Sequence, residues 1–325
     1  MSTDGRGRQQ PAPPVPARSR PARRGWSRVR RRLRAWGPGL LLVTPSLLAI
    51  ALFVYGFIGW NVRVSFTSWR GLNPKYDFVG LERYRELMAD ERFRLDIRNL
   101  IVFTVVFIVG SLVLGLFMAL LLDKGIRGES FFRSVYLLPM AISFIATGII
   151  WRWLLDNGQG ASTAGINKLF EYAGLDWLRS DWHRSDSSWA IAAIALPAGW
   201  ALSGYVMALF LAGLRGVPEE LREAARVDGA NERKVYWHVV RPMMVPVLMS
   251  AVVILTHISL KTFDLLYAIA PGDLKVDTPA LYMFYTTFRG GFYARGAAIA
   301  TLLLLIVAVV IVPYIWYSTR TERRR

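Results

Sequence analysis

Six apolar stretches dominate this sequence, each long enough for a helix rising 1.5 Å per residue to cross about 30 Å of hydrocarbon. They run from Pro38 to Val62, Asn99 to Leu122, Phe132 to Leu155, Ser188 to Leu214, Met243 to Ala270 and Ala294 to Tyr317. Backbone donors and acceptors find no water inside a bilayer, so a spanning segment must satisfy them within itself, and apolar runs of this length do so as helices rather than barrel strands. The expected fold class is all-α, a polytopic membrane protein with six transmembrane helices. Composition agrees, because only 19% of the 325 residues are charged and 54% are hydrophobic, whereas soluble domains carry about 25% charged residues.

The formal charge of +17 would suggest nucleic acid in a soluble protein, but here the basic residues lie at the termini and between the apolar runs. Membrane topology explains them, and no nucleic-acid partner is expected. The chain has no cysteine, which excludes disulfides, thiolate catalysis and thiolate-ligated metal. His183, His238 and His257 are too widely spaced to suggest a ligand set, so neither a metal nor a cofactor is expected. There is no Gly-x-x-x-x-Gly-Lys-Ser/Thr loop and no Gly-Lys pair to cradle nucleotide phosphates. Nor is there a nucleophile with its base, so no catalytic residue is expected.

Residues 1–36 are rich in Pro, Arg, Gly and Ser and read as a disordered basic arm. The first helix and an outer loop follow over 37–98, the main transmembrane domain over 99–318 and a basic tail over 319–325. The arm, the loop after Asp123, the segment from Arg215 to Arg241 and the tail hold most of the Lys and Arg, so the positive-inside rule puts these segments and both termini in the cytoplasm. In the outer loop, Arg83, Arg85, Arg92, Arg94 and Arg98 alternate with Glu82, Glu86, Asp90, Glu91 and Asp96. Pro45, Pro139 and Pro197 each remove a backbone donor and invite a kink.

The segment from Val217 to Asn231 has strong helix signals. Pro218 suits a first helical position, Glu219 and Glu220 face the positive end of the dipole, and Gly229 can take the left-handed turn that ends a helix. Leu221, Ala224, Ala225 and Asp228 share one face of small side chains. A second short helix should start at Asn231 as its cap and stop at Arg241, because proline at 242 disfavours helical geometry in the residue before it.

Glu223-Ala224-Ala225, then Gly229 six residues after the glutamate, then Val239, Arg241 and Pro242 resemble the EAA signature of permease subunits of binding-protein-dependent, ATP-binding-cassette importers. Val239 stands for the usual Ile, and Arg241 replaces the usual Leu. The resemblance extends over about 78–313, through Val79 to Tyr84, Arg133 to Pro139 and Gly204 to Leu214, and is of the maltose-type carbohydrate branch. Ile258 to Asp264 with Thr286 to Gly290 is most similar to permeases for glucose, mannose and glucosides.

What the resemblance implies is a coupling helix, with Glu223, Ala224, Ala225, Asp228, Gly229, Ala230 and Pro242 serving attachment to an ATPase. It also implies two cytoplasmic ATPase subunits, a second permease subunit that is usually a different chain, an extracytoplasmic sugar-binding protein and a place in the bacterial inner membrane. A permease for a polyamine or phosphate, or an ATP-independent carrier, stays open as an alternative.

His257, Lys261 and Asp264 follow at intervals of four and three, so one continuous helix would put them on one face. Charges at membrane depth face a partner, a bundle interior or water. They line the substrate path, or else Lys261 and Asp264 neutralise each other, pair with the second permease or lie near the interface. Trp200, Tyr205, Tyr282 and Tyr285 are aromatic candidates for stacking on a sugar.

Overall fold

The computed structural model describes residues 42–156, 158, 163–182 and 189–322. The basic arm, His183, the first residues of the first and fourth spans, and residues 323–325 lie outside these. In chain order the helices are α1 (Leu42–Ser65), α2 (Glu82–Ala89), α3 (Glu91–Asp123), α4 (Glu129–Ala141), α5 (Phe144–Leu154), α6 (Gly165–Tyr172), α7 (Trp189–Arg215), α8 (Glu219–Val227), α9 (Glu232–Leu260), α10 (Asp264–Ile269), α11 (Pro279–Phe284) and α12 (Tyr293–Glu322). Among the described residues the only β-type contact is a single antiparallel bridge between Thr67 and Phe78. The chain divides into two compact units between Ile58 and Gly59, and α2 to α12 belong to the second.

Among the described residues five helices are long and apolar enough to cross a membrane: α1, α3, α7, α9 and α12. The third expected span is instead two helices, α4 and α5, bent by 96° across a short break. Pro139 removes a backbone donor two residues before α4 ends, and Ser143 starts α5 afresh by accepting the Ala146 N–H at 3.2 Å. Among the described residues there are thus five such helices, or six if the bent pair is one span. Pro197, by contrast, lies inside an unbroken α7.

α7 is the axis of the packed body, apolar on nearly every side and rich in alanine, with Ala190, Ala195, Ala198 and Ala201 buried. Lipid tails are as apolar as leucine, so helices in a bilayer associate through close packing rather than exclusion of water, and small residues let backbones approach. At Gly204 a Cβ atom would lie 1.9 Å from the Tyr136 carbonyl oxygen, so only glycine permits α4 to meet α7 there. At Gly115 a Cβ would lie 2.6 Å from Val206, which fixes the approach of α3. Phe103 and Phe107 stack with centroids 5.8 Å apart and are buried in the same core cluster as α7.

Two other expectations change. The charged residues from Glu91 to Arg98 are not loop but the first two turns of α3, whose cap is the Asp90 carboxylate accepting the Arg92 N–H at 2.9 Å. The helix expected to stop at Arg241 does not stop there. Arg241 has helical geometry, and a π-helical turn over Tyr236–Val240 makes room for Pro242, so one helix runs through to Leu260.

Candidate coupling surface and translocation pocket

α8 is built as its sequence suggests, with Pro218 one position earlier than expected, at the N-cap. Its C-terminal end is a complete Schellman turn. Gly229 takes φ +82°, its N–H donates to the Arg226 carbonyl at 3.0 Å, and the Ala230 N–H donates to the Ala225 carbonyl at 2.9 Å. Asn231 then caps α9, its side chain accepting the Lys234 N–H at 2.9 Å.

Two arginines fix α8 in place. Arg222 donates to the Leu214 carbonyl at the end of α7 at 2.6 Å and lies 3.8 Å from the Asp123 carboxylate at the end of α3. Arg226 bridges Glu219 at 2.9 Å and Glu232 at 2.8 Å, tying α8 to the start of α9. Ala225 and Ala230 pack against the core, while Glu223, Ala224, Asp228 and Gly229 are exposed. Leu221 is 46% exposed and Val227 86% exposed, so apolar side chains stand beside the small and charged ones on the outward side of α8. The two arginines carry no part of the sequence signature; their spacing of four gives no hint that one reaches back and the other forward.

The polar residues of the fifth span come together by a route other than a continuous helix. α9 ends at Leu260, and the chain turns through Lys261 to Phe263 before α10 begins at Asp264. No glycine or proline breaks it. Thr256, Ser259 and Thr262 turn their hydroxyls onto the carbonyls of Val252, Thr256 and Ile258 at 2.7, 2.9 and 2.9 Å, local bonds that bend helices and compete with their ladders. His257, Lys261 and Asp264 nevertheless line one cavity of about 200 Å³, together with Phe144, Thr262 and Phe263. His257, Lys261 and Phe263 also line a neighbouring cavity of about 480 Å³ that reaches Phe284. The Lys261 Nζ lies 3.4 Å from the His257 Nε2, and no ion pair joins Lys261 to Asp264 among the described residues.

The aromatic candidates separate. Tyr285 belongs to a cluster beside the cavities, with Phe284 5.7 Å and Tyr267 6.4 Å away between centroids. Phe263 joins it at 5.0 Å from Phe284, and Arg289 lies 5.1 Å over the Tyr285 ring while donating to the Tyr267 hydroxyl at 3.1 Å. Tyr267, Phe263, Phe284 and Arg289 are members the sequence reading missed; Phe263 with Tyr267 and Phe284 with Phe288 at spacings of four were the available signal. Trp200 packs against Trp151 at 5.9 Å, and Tyr205 is half-buried against the core.

Tyr282 lies elsewhere, in a charged knot joining α2, α3, α11 and α12. It is 6% exposed, and its hydroxyl donates to Asp90 at 2.6 Å. Its ring lies between the guanidinium groups of Arg92, at 4.3 Å, and Arg295, at 5.6 Å. Arg295 pairs with Asp90, and Arg92 pairs with the buried Asp277. Burial raises the Asp90 pKa, but the Tyr282 hydroxyl, the Arg92 N–H and Arg295 outweigh it and hold the carboxyl below its usual value. Burial, and then the bond to Asp90, push the Tyr282 phenol up to about 12. This residue belongs to the charged knot and lines neither of the cavities around Lys261.

Comparison with known proteins matches residues 111–325 to the family described as Binding-protein-dependent transport system inner membrane component. A probable ABC transporter permease protein of Pyrococcus horikoshii is 42% identical over 88% of this chain and 97% of its own length. A xylose/arabinose import permease protein of Haloferax volcanii is 38% identical over 84% of each chain. A glucose import system permease protein of Saccharolobus solfataricus is 30% identical, covering 88% of this chain and 98% of its own. The two of these relatives that are named for a substrate are named for different sugars, and together they single out no maltose or glucose/mannose branch. A chain from the crystal structure of a bacterial ABC transporter that imports alginate has the same fold, with a TM-score of 0.75 over 90% of this chain and 99% of that one at 17% identity. With the family match covering about two thirds of its length, this chain belongs to the inner membrane components of binding-protein-dependent transport systems.

Proposed function

We propose that the chain is a sugar-translocating permease subunit of an ATP-binding-cassette importer, with six spans and both termini in the cytoplasm. In this reading the bent pair α4 and α5 counts as one span, and α8 stands on the cytoplasmic face between the fourth and fifth. Glu223, Ala224, Ala225, Asp228, Gly229, Ala230 and Pro242 form or support a coupling helix that docks on one of two ATPase subunits. A second permease chain completes the pore, and an extracytoplasmic binding protein delivers the sugar.

The observation that carries this reading is the state of α8: a small-sided, exposed helix clamped by Arg222 and Arg226 to the ends of α3, α7 and α9. A partner shifts a protein between states only by binding one state better than another. Force applied to α8 reaches three spans through those arginine bonds without passing through flexible loop.

For the cargo, the relatives named for xylose, arabinose and glucose support a sugar. His257, Lys261, Thr262 and Asp264 offer donors and acceptors to hydroxyl groups, and the aromatic cluster with Tyr285 offers faces to the ring. Deleting the chain from its host and measuring uptake of a panel of labelled sugars tests the assignment. Loss of one or a few sugars is expected; unchanged sugar uptake with loss of an ion, polyamine or peptide overturns it.

A further inference from the structure

α9 begins polar and becomes apolar, and the change is sharpest along one outward stripe. Lys234, Trp237, His238 and Arg241 recur at intervals of three and four, and all four are exposed. The stripe continues into Val245, Leu248 and Met249, exposed by 43%, 38% and 43%. The Arg241 guanidinium lies 4.7 Å over the Trp237 ring, and His238 Nδ1 meets the Lys234 carbonyl at 3.0 Å. Among the described residues neither Lys234 nor Arg241 has a carboxylate within ion-pair distance, and the nearby Glu232 is taken by Arg226. The π-helical turn over Tyr236–Val240 keeps the helix continuous past Pro242, so the basic turns and the exposed apolar ones belong to one helix.

We propose that this stripe binds an anionic phospholipid, with the headgroup phosphate held by Arg241 and Lys234 and the acyl chains lying along Val245, Leu248 and Met249. Arginine offers a planar fork that bonds phosphate oxygens in pairs, and tryptophan settles at headgroup level in membranes. The arginine stands where the signature that this segment resembles has leucine. A soluble partner with acidic groups satisfies the two cations but does not reach Leu248 and Met249, two turns further into an apolar span; a lipid matches both ends. The proposal rests on the permease reading only for placing this end of α9 at a membrane surface.

The test uses the full chain with whatever partners it purifies with, in nanodiscs of phosphatidylcholine containing graded phosphatidylglycerol, with lipid retained after detergent extraction counted by native mass spectrometry. Arg241→Leu restores the signature's usual residue, and Arg241→Lys keeps the charge. Each basic residue at an anionic surface is worth about 1 kcal/mol, so the preference for phosphatidylglycerol should fall about fivefold in Arg241→Leu and little in Arg241→Lys. If Arg241→Leu is poorly folded, Lys234→Gln is read in its place. An unchanged lipid preference overturns the proposal. So does loss of a copurifying protein with lipid retention intact, which makes the stripe a protein surface. Displacement of the lipid by inorganic phosphate overturns it in favour of a free-anion site. Lipid counting needs no transport, so its outcome is separate from the identity of the cargo.

Discussion

Gly229 and Gly204 are both positions that favour glycine, for opposite reasons. At Gly229 a Cβ would meet nothing within 4 Å, but φ is +82°, a region that costs an ordinary L-residue about 1–2 kcal/mol. At Gly204 the backbone is ordinary helix and the space is absent. Gly229→Val should therefore leave the body folded, with a melting temperature near that of the parent, while reducing the ATPase that copurifies. Gly229→Asn should restore attachment, because asparagine tolerates the left-handed turn. If Gly229→Val retains full attachment and uptake, the docking role of this loop is wrong. Gly204→Val should abolish recovery of folded protein in detergent, since the neighbour is backbone and cannot give way. Gly229 was legible in the sequence because a turn is a local property. Gly204 was visible only as part of a family-like stretch, since nothing local says which helix will press against it.

At the scale of elements, the apolar runs announced the helices, but their breaks were harder to read. Proline marked the break after α4 but not its angle, because a 96° turn depends on what α5 packs against, and Gly148 there meets Ala268 of α10. The end of α9 carries no breaker; it comes from three hydroxyls bonding locally, residues that bend one helix and decorate another. The segment from Glu91 to Arg98 reads in the sequence as loop rather than helix because the pairs of its charged knot, such as Arg92 with Asp277, are far apart in sequence.

That knot has a measurable signature. Asp90 has a lowered folded pKa, so its bonds to the Tyr282 hydroxyl, the Arg92 N–H and Arg295 contribute stability that is present above the unfolded value of about 3.9 and is lost as pH falls through the folded value. Melting temperature should drop in the parent as pH falls below about 4, and Asp90→Asn should be less stable at pH 7 but flatter over that range. Equal acid sensitivity in both proteins would remove Asp90 from this role. Arg92→Ala leaves Asp277 as an unpaired buried carboxylate, a change that costs about 3–5 kcal/mol in buried pairs and should show as a large fall in melting temperature at neutral pH.

For the whole molecule, α8 and the Lys261 cavity form two sites joined by α9, which starts beside one and ends at the other. Coupling through a single helix predicts separable defects. Lys261→Ala should impair uptake of the sugar while leaving ATPase attachment intact, and loss of attachment in that variant would argue against a cavity role. The central claim is that the exposed face of α8 sits on the cytoplasmic side and carries a separate ATPase. The chain has no cysteine, so Val227→Cys provides a single reporter at a position 86% exposed. Reaction of that cysteine with a membrane-impermeant maleimide, in right-side-out and inverted vesicles with and without the ATPase, is the most direct measurement. Labelling confined to inverted vesicles and blocked by the bound ATPase is the predicted result; labelling from the outside, or labelling the ATPase does not hinder, contradicts it.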